Sequence, residues 1–211
     1  MNPIDAAVEC SILTSLYQVS GGLDTMVNTL AWTIGTLALR PDIQAAAYSA
    51  ITAVYGLETP PDANDEQGVP YITALMKESL RHFSTLRLSL PRAAHKDVCY
   101  GDFLIPRGTT MFLNVWAANH DEAVFGKDVW SFRPERYLEE PELPHASYGF
   151  GTRMCAGVHL ANRQLEVLLT RLLWRFRIEE NGSMEHLRPL EVRNIYALNV
   201  KRLQLLLTLL I

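Results

Sequence analysis

Tyr148-Gly149-Phe150-Gly151-Thr152-Arg153-Met154-Cys155-Ala156-Gly157 is the stretch on which the reading of this 211-residue chain turns. One cysteine stands in a glycine-punctuated loop, two residues after an arginine and two before a glycine that opens an amphipathic segment. Glycine at 149, 151 and 157 lets the backbone turn tightly and approach a flat partner more closely than a Cβ allows. A thiol ahead of a helix N-terminus, with Arg153 beside it, is biased toward thiolate by the helix dipole and the nearby positive charge. A thiolate held this way suits a soft or borderline metal. Taken singly, Cys155 also fits a free thiol in a glycine-rich turn; the joint spacing of Gly, Arg, Cys and Gly favours a ligand.

Downstream of the loop, apolar residues at Ala161, Leu165, Leu168, Leu169, Leu172 and Phe176 predict one helix over about 157–176. The tail, about 178–211, reads as short strands around loops. Upstream, Asn119–Leu143 mixes aromatics, acids and prolines without a period, so coil with short helical turns is expected to run into the cysteine loop over 119–157. Val98–Ile105, a type I turn at Pro106-Arg107-Gly108 and Thr109–Val115 predict a β-hairpin over about 98–115. A helix over about 70–83 opens at Pro70, with Ile72, Leu75, Met76, Ser79, Leu80 and Phe83 on one face and Ala74, Lys77, Glu78 and Arg81 on the other.

The first helical region, about 4–39, is one long helix or two abutting ones. Gly21-Gly22 near its middle costs each time about 0.5–1 kcal/mol relative to alanine. Pro41 suits the first turn of a second helix and Gly56 its far cap. Glu58–Gly68, with its prolines and acids, reads as a surface loop.

Composition narrows the function. A net charge of −4, without a basic run interleaved with aromatics, excludes a nucleic-acid binder. Cys10, Cys99 and Cys155 are three in number and widely spaced, which argues against a disulfide framework or zinc site and for a reducing compartment. Leu30–Leu39 and Leu205–Ile211 are too short to cross a bilayer, which takes about 18 or more apolar residues. The N-terminus lacks the pattern of a signal peptide, so a soluble chain is expected. The six histidines, His82, His95, His120, His145, His159 and His186, show neither a metal-ligand spacing nor a place in a nucleophile triad.

Four motifs then fall in series. The loop at 148–157 resembles the haem-binding signature of the cytochrome P-450 monooxygenases. Glu78-Ser79-Leu80-Arg81 matches that family's Glu-x-x-Arg, Phe132-Arg133-Pro134-Glu135-Arg136-Tyr137 its aromatic-x-Pro-Glu-Arg-aromatic segment, and Gly21-Gly22-Leu23-Asp24-Thr25 its distal-helix pattern. The resemblance implies a mainly α fold with a small β region, namely the C-terminal portion of the cytochrome P-450 fold, as a single partial domain over 1–211. The N-terminal half, with a membrane anchor and the roof of the substrate pocket, is expected to be absent, leaving apolar faces exposed.

By that resemblance the cofactor is haem b and Cys155 its axial thiolate, whose electron donation favours O–O cleavage. Arg153 and Arg92 are implied propionate partners, Arg92 being otherwise an ordinary surface arginine. Gly157 closes the cofactor loop, and Tyr148 stands where the family usually has phenylalanine, adding a hydroxyl that needs a partner. Thr25, with Asp24 behind it, is the implied proton donor to the oxygen substrate; Gly21-Gly22 would open a groove there. The bland alternative is a helix contact through small residues. Met26 breaks the family's usual hydroxyl pattern.

Glu78 and Arg81, spaced i, i+3, read on physics alone as an exposed pair of about 0.2–0.5 kcal/mol. The resemblance instead makes them, with Arg136, a buried structural network. Arg163, Arg171, Arg175 and Arg177 are solvated surface or a docking face for an acidic redox partner. The implied activity is monooxygenation of a small organic substrate, with NADPH-derived electrons through a cytochrome reductase or another donor. Localisation follows as endoplasmic reticulum membrane for the family, cytoplasmic otherwise. Two rival readings are a haem-binding remnant without turnover and a haem-thiolate isomerase or dehydratase.

Overall fold

The computed structural model describes residues 3–63, 68–180 and 205–209. Helix α1 runs unbroken over Pro3–Leu39, straight through Gly21-Gly22, and α2 over Pro41–Tyr55. Pro41 stands at its start, and Gly56 at its end takes φ 77°, a left-handed angle that glycine adopts without strain. Helix α3 spans Pro70–Phe83. Short strands follow, β1 (Arg92–Ala93), β2 (Val98–Tyr100), β3 (Phe103–Ile105) and β4 (Thr110–Met111). After them come single-turn helices α4 (Val115–Asn119), α5 (Glu122–Phe125) and α6 (Arg136–Glu139). A 3-10 turn at Gly151–Arg153 precedes α7 (Val158–Arg175), which leads into β5 (Phe176–Glu180), paired antiparallel with β6 (Leu205–Leu209). The rest of the expected strand region, 181–204 and 210–211, lies outside the described residues, as does 64–67 of the surface loop.

The core is where α1, α2, α3 and α7 meet. Trp32 and Leu37, Ile43 and Ile51, Ile72 and Leu75, and Leu165, Leu169 and Leu173 form one buried cluster with Phe132 and Ile178. One buried amide stitches three elements here. Gln44 donates through Nε2 to the carbonyls of Leu37 (2.7 Å) and Ile178 (2.9 Å) and accepts the Ile178 N–H at 2.9 Å. On α1, Thr25, Thr29 and Thr33 each donate to the carbonyl four residues back, and Thr29 reaches Thr85 beyond α3 at 3.0 Å.

Three expectations are corrected. The strands pair otherwise than in one hairpin over 98–115. Gly101, at φ 57°, supplies a two-residue turn, so Val98 faces Ile105 and Tyr100 faces Phe103 within β2–β3. Strand β4 returns instead to β1, with Arg92 opposite Met111. Between them Thr109 N–H bonds the Pro106 carbonyl at 3.2 Å, which puts Gly108 (φ 85°) at the third position, as in a type II rather than a type I turn.

The buried stripe of α7 is Leu165, Leu169 and Leu173; Leu168 lies off it and is 48% exposed. The arginines of that region are not uniformly solvated. Arg163 donates to the Ala63 carbonyl at 2.6 Å and Arg171 to that of Pro61 at 3.1 Å, so both hold the loop after α2, while Arg177 pairs with Glu179.

Candidate cofactor site around Cys155

The site begins with α3. Its expected polar face is buried too, because Glu78 and Arg81 complete each other. Two parallel bonds, Arg81 Nε to Glu78 Oε2 (2.8 Å) and Nη2 to Oε1 (2.7 Å), join side chains that are both 0% exposed. The exposed-pair reading therefore fails. Glu78 Oε1 also accepts the Arg133 backbone N–H at 2.9 Å, and Oε2 faces Arg136 Nε at 3.5 Å. Arg81 Nη1 caps the carbonyls of Asn119 and Val129, both at 2.9 Å, and Arg136 Nη1 that of Phe125 at 2.7 Å. One carboxylate thus anchors two guanidiniums that staple 119–136 onto α3. Tyr71 adds a bond to Glu135 at 2.7 Å.

Asn119 extends this network toward the cysteine. It is fully buried, donates to the hydroxyls of Ser84 (2.9 Å) and Ser147 (3.0 Å), and accepts the Ala146 N–H at 2.7 Å. Ser147 in turn donates to the Leu80 carbonyl at 2.6 Å. Sequence reasoning missed this hub, since an asparagine in an aperiodic stretch carries no spacing signal. It also missed the aromatic cluster in which His120 stacks on Trp130 (4.6 Å) and lies tilted against Trp116 (4.0 Å), with His82 at 5.9 Å. Burial pushes His82 down to about 3 and His120 to about 4, so both imidazoles are neutral at pH 7.

From Ser147 the chain enters the loop itself. Gly149 (φ 71°) and Gly151 (φ 68°) adopt angles that a side chain disfavours, and Gly149 N–H closes on Ala146 at 2.8 Å. Met154 N–H bonds Gly151 at 3.1 Å, and Cys155 N–H bonds the Tyr148 carbonyl at 2.9 Å. Gly157 caps α7 and receives Ala161 N–H. A Cβ on it would sit 3.9 Å from the Cys155 sulfur, an ordinary contact, so the fold of the chain itself does not demand glycine there. The Tyr148 hydroxyl finds its partner in Asn162 of α7, donating at 2.6 Å. Burial raises its phenol above the ordinary range, and nearby Cys155 and Glu166 add to the rise.

Unlike the network, the loop faces out. Phe150 (58%), Arg153, Met154 (49%) and the free Cys155 are all exposed. The other expected residues sit on separate elements. Arg92 is exposed on β1; Asp24 is exposed and Thr25 half-buried on α1, the Thr25 hydroxyl donating to Gly21 at 2.7 Å. Among the described residues, no hydrogen bond joins these three to the loop.

The donor set tests what the loop can hold. Among the described residues no cluster of His, Cys, Asp or Glu could coordinate a metal ion. Cys155 is a single soft donor, beside an exposed aromatic, an exposed thioether and a cation. That set does not fit a tetrahedral protein-ligated ion, which needs three or four side chains. It fits a metal that arrives with its other ligands in a flat anionic macrocycle, as haem does. Cys155 would hold the iron, Phe150 and Met154 would cover apolar ring surface, and Arg153 and Arg92 would meet carboxylates.

Comparisons with known proteins identify the family. The sequence profile described as cytochrome P-450 matches residues 12–207. A 3-hydroxyphenylacetate 6-hydroxylase of Emericella nidulans is 46% identical over 178 residues, 84% of this chain and 34% of that protein. A phenylacetate 2-hydroxylase of the same organism is 41% identical over 198 residues, 88% of this chain and 36% of that protein. The chain thus spans about a third of the length of these curated relatives. A solved zebra fish cytochrome P-450, with abiraterone, superposes with a TM-score of 0.79 at 30% identity, covering 90% of this chain and 46% of that one. Motifs, buried network, exposed thiol and these matches lead to one conclusion: the chain belongs to the cytochrome P-450 family.

Proposed function

We propose that this chain holds haem b through Cys155 and serves a monooxygenase that inserts one atom of O2 into a small aromatic acid. The observation that carries the reading is Cys155 itself, a free, exposed thiol with no second protein donor beside it among the described residues. Two similar proteins are named for ring hydroxylation of phenylacetates, which supports substrates of that class here. NADPH is the proposed electron source, through a cytochrome reductase, and the endoplasmic reticulum membrane the proposed location.

Bound haem would supply the activation of oxygen. The chain's own residues do the rest. Cys155 would donate charge to the metal, and the arginines at 153 and 92 would neutralise the carboxylates of the macrocycle. The Glu78–Arg81–Arg136 network keeps the loop-bearing segment against α3. Thr25 turns its hydroxyl away from the Gly21 carbonyl to hold a proton at Oγ1, and exposed Asp24 refills it from water.

The test uses the haem-loaded protein that carries this chain together with a complete substrate pocket, with reductase, NADPH and phenylacetate. A hydroxylated product that requires NADPH is expected, and Thr25→Ala should consume oxygen without matching product. No phenylacetate hydroxylation, with NADPH-independent rearrangement of an organic hydroperoxide instead, would contradict the monooxygenase reading and favour an isomerase. Unchanged coupling in Thr25→Ala would remove Thr25 from proton delivery.

A further inference from the structure

Tyr148 touches the cysteine loop twice, in two chemically different ways. Its carbonyl accepts the Cys155 N–H at 2.9 Å and so closes the loop on itself. Its hydroxyl donates to Asn162 Oδ1 at 2.6 Å, a short bond for a neutral pair, and so ties the same residue to the second turn of α7. Between these two anchor points lie Gly149 and Gly151, both at positive φ and both with open space where a Cβ would be. Nothing packs on these two glycines at that position, so their freedom must be limited from elsewhere. The ring packs against the buried cluster that includes Leu165 and Leu169, and the hydroxyl adds a directional bond from the loop to α7.

We propose that the Tyr148–Asn162 hydrogen bond is a positioning clamp that sets the Cys155 sulfur against the start of α7. The ring brings its own backbone carbonyl with it, and that carbonyl holds the Cys155 amide. The sulfur's position is therefore coupled through one side chain to a rigid helix. Preorganisation of this kind favours ligation because less loop freedom is lost when the metal binds. Tyr148 and Asn162 are positioning residues; neither touches a reacting atom. The clamp rests on the haem-thiolate reading only for what the sulfur is positioned to do.

Two measurements separate the clamp from that reading. The first is hydrogen exchange of the Cys155 amide in the chain without haem, compared with Leu169 in α7. Tyr148→Phe and Asn162→Ala should each speed Cys155 exchange about fivefold, as expected for one lost hydrogen bond, and leave Leu169 unchanged. The double variant should be no faster than either single one. Unchanged Cys155 exchange in both single variants would overturn the clamp, as would effects that multiply in the double variant. The second is the ferrous–carbon monoxide spectrum after loading with haem. Tyr148→Phe should convert a larger share of the red-shifted, thiolate-ligated band to the unshifted form than wild type under the same urea concentration. A merely structural bond would lower the urea midpoint and leave that share unaltered below it. A wild type with no red-shifted band would refute the haem reading, and amide exchange would still decide the clamp.

Discussion

The α3 network and the cysteine loop are built from neighbouring motifs, yet they solve opposite problems. In the network, each charge is met inside the protein. Glu78 and Arg81 are wholly buried and Arg136 nearly so, and the guanidiniums cap carbonyls of a segment that has little regular structure of its own. In the loop, the groups with most chemical potential face outward: a thiol, a cation and two large apolar side chains. The first region is completed by folding. The second is held in shape by the first, through Asn119 and Ser147, and leaves its reactive side chains exposed. That division predicts where substitutions unfold the protein and where they spare the fold but spoil the site.

The largest effect belongs to Arg81→Ala. Leaving Glu78 buried without its bidentate partner should cost about 3–5 kcal/mol, enough to abolish a cooperative urea transition and haem retention with it. A variant with wild-type stability would erase the contrast between the two regions. Asn119→Ala comes next, because it strands the buried Ala146 N–H and removes the amide that links Ser84 to Ser147. A loss of about 3 kcal/mol is expected, with hydrogen exchange accelerated at 146–148 well beyond that in α2. Equal acceleration in both places would mean that Asn119 does not link network to loop.

His82 gives a pH test. Burial is the first cause of its depressed value, with the charges of Arg81, His120 and Arg136 adding to it, and it stays neutral in the folded chain down to about 3. Unfolded, it takes up a proton near its ordinary 6.5. The unfolded state therefore binds more protons, so this stability is fully present above pH 6.5 and is lost as pH falls toward 3. His82→Leu should flatten the stability profile by about one proton, roughly 1.4 kcal/mol per pH unit around pH 5–6, as followed by urea unfolding at each pH. The smallest effect is Arg171→Ala, which frees one loop carbonyl at Pro61 and should cost about 1 kcal/mol in the same assay.

The helices were legible because their signals are local. Pro41, Gly56 and Pro70 mark boundaries, and α3 and α7 show their apolar spacing openly. The strands were misread because a turn is a two-residue decision: Gly101-Asp102 suffices to fold β2 onto β3, which frees β4 for β1. Periodicity also misplaced Glu78 and Arg81. A polar face looks solvated in sequence whatever lies opposite, and only the resemblance to a family brought Arg136 to them. Asn119 left no sequence trace, since its hydrogen-bond partners lie 27 to 35 residues away, and the bond of Asn162 to Tyr148 spans 14 residues without a periodic signal. The loop that carries Cys155 was readable from its own ten residues, because the glycines, the arginine and the following helix are all local.

The most direct test of the central claim, that Cys155 is a haem ligand, is the ferrous–carbon monoxide spectrum of the haem-loaded chain and of Cys155→Ser. The wild type should show the strongly red-shifted Soret band of thiolate ligation, and Cys155→Ser should lose that band while keeping the wild-type urea midpoint. A wild-type spectrum without the shift, or a shifted band that survives in Cys155→Ser, would contradict the account.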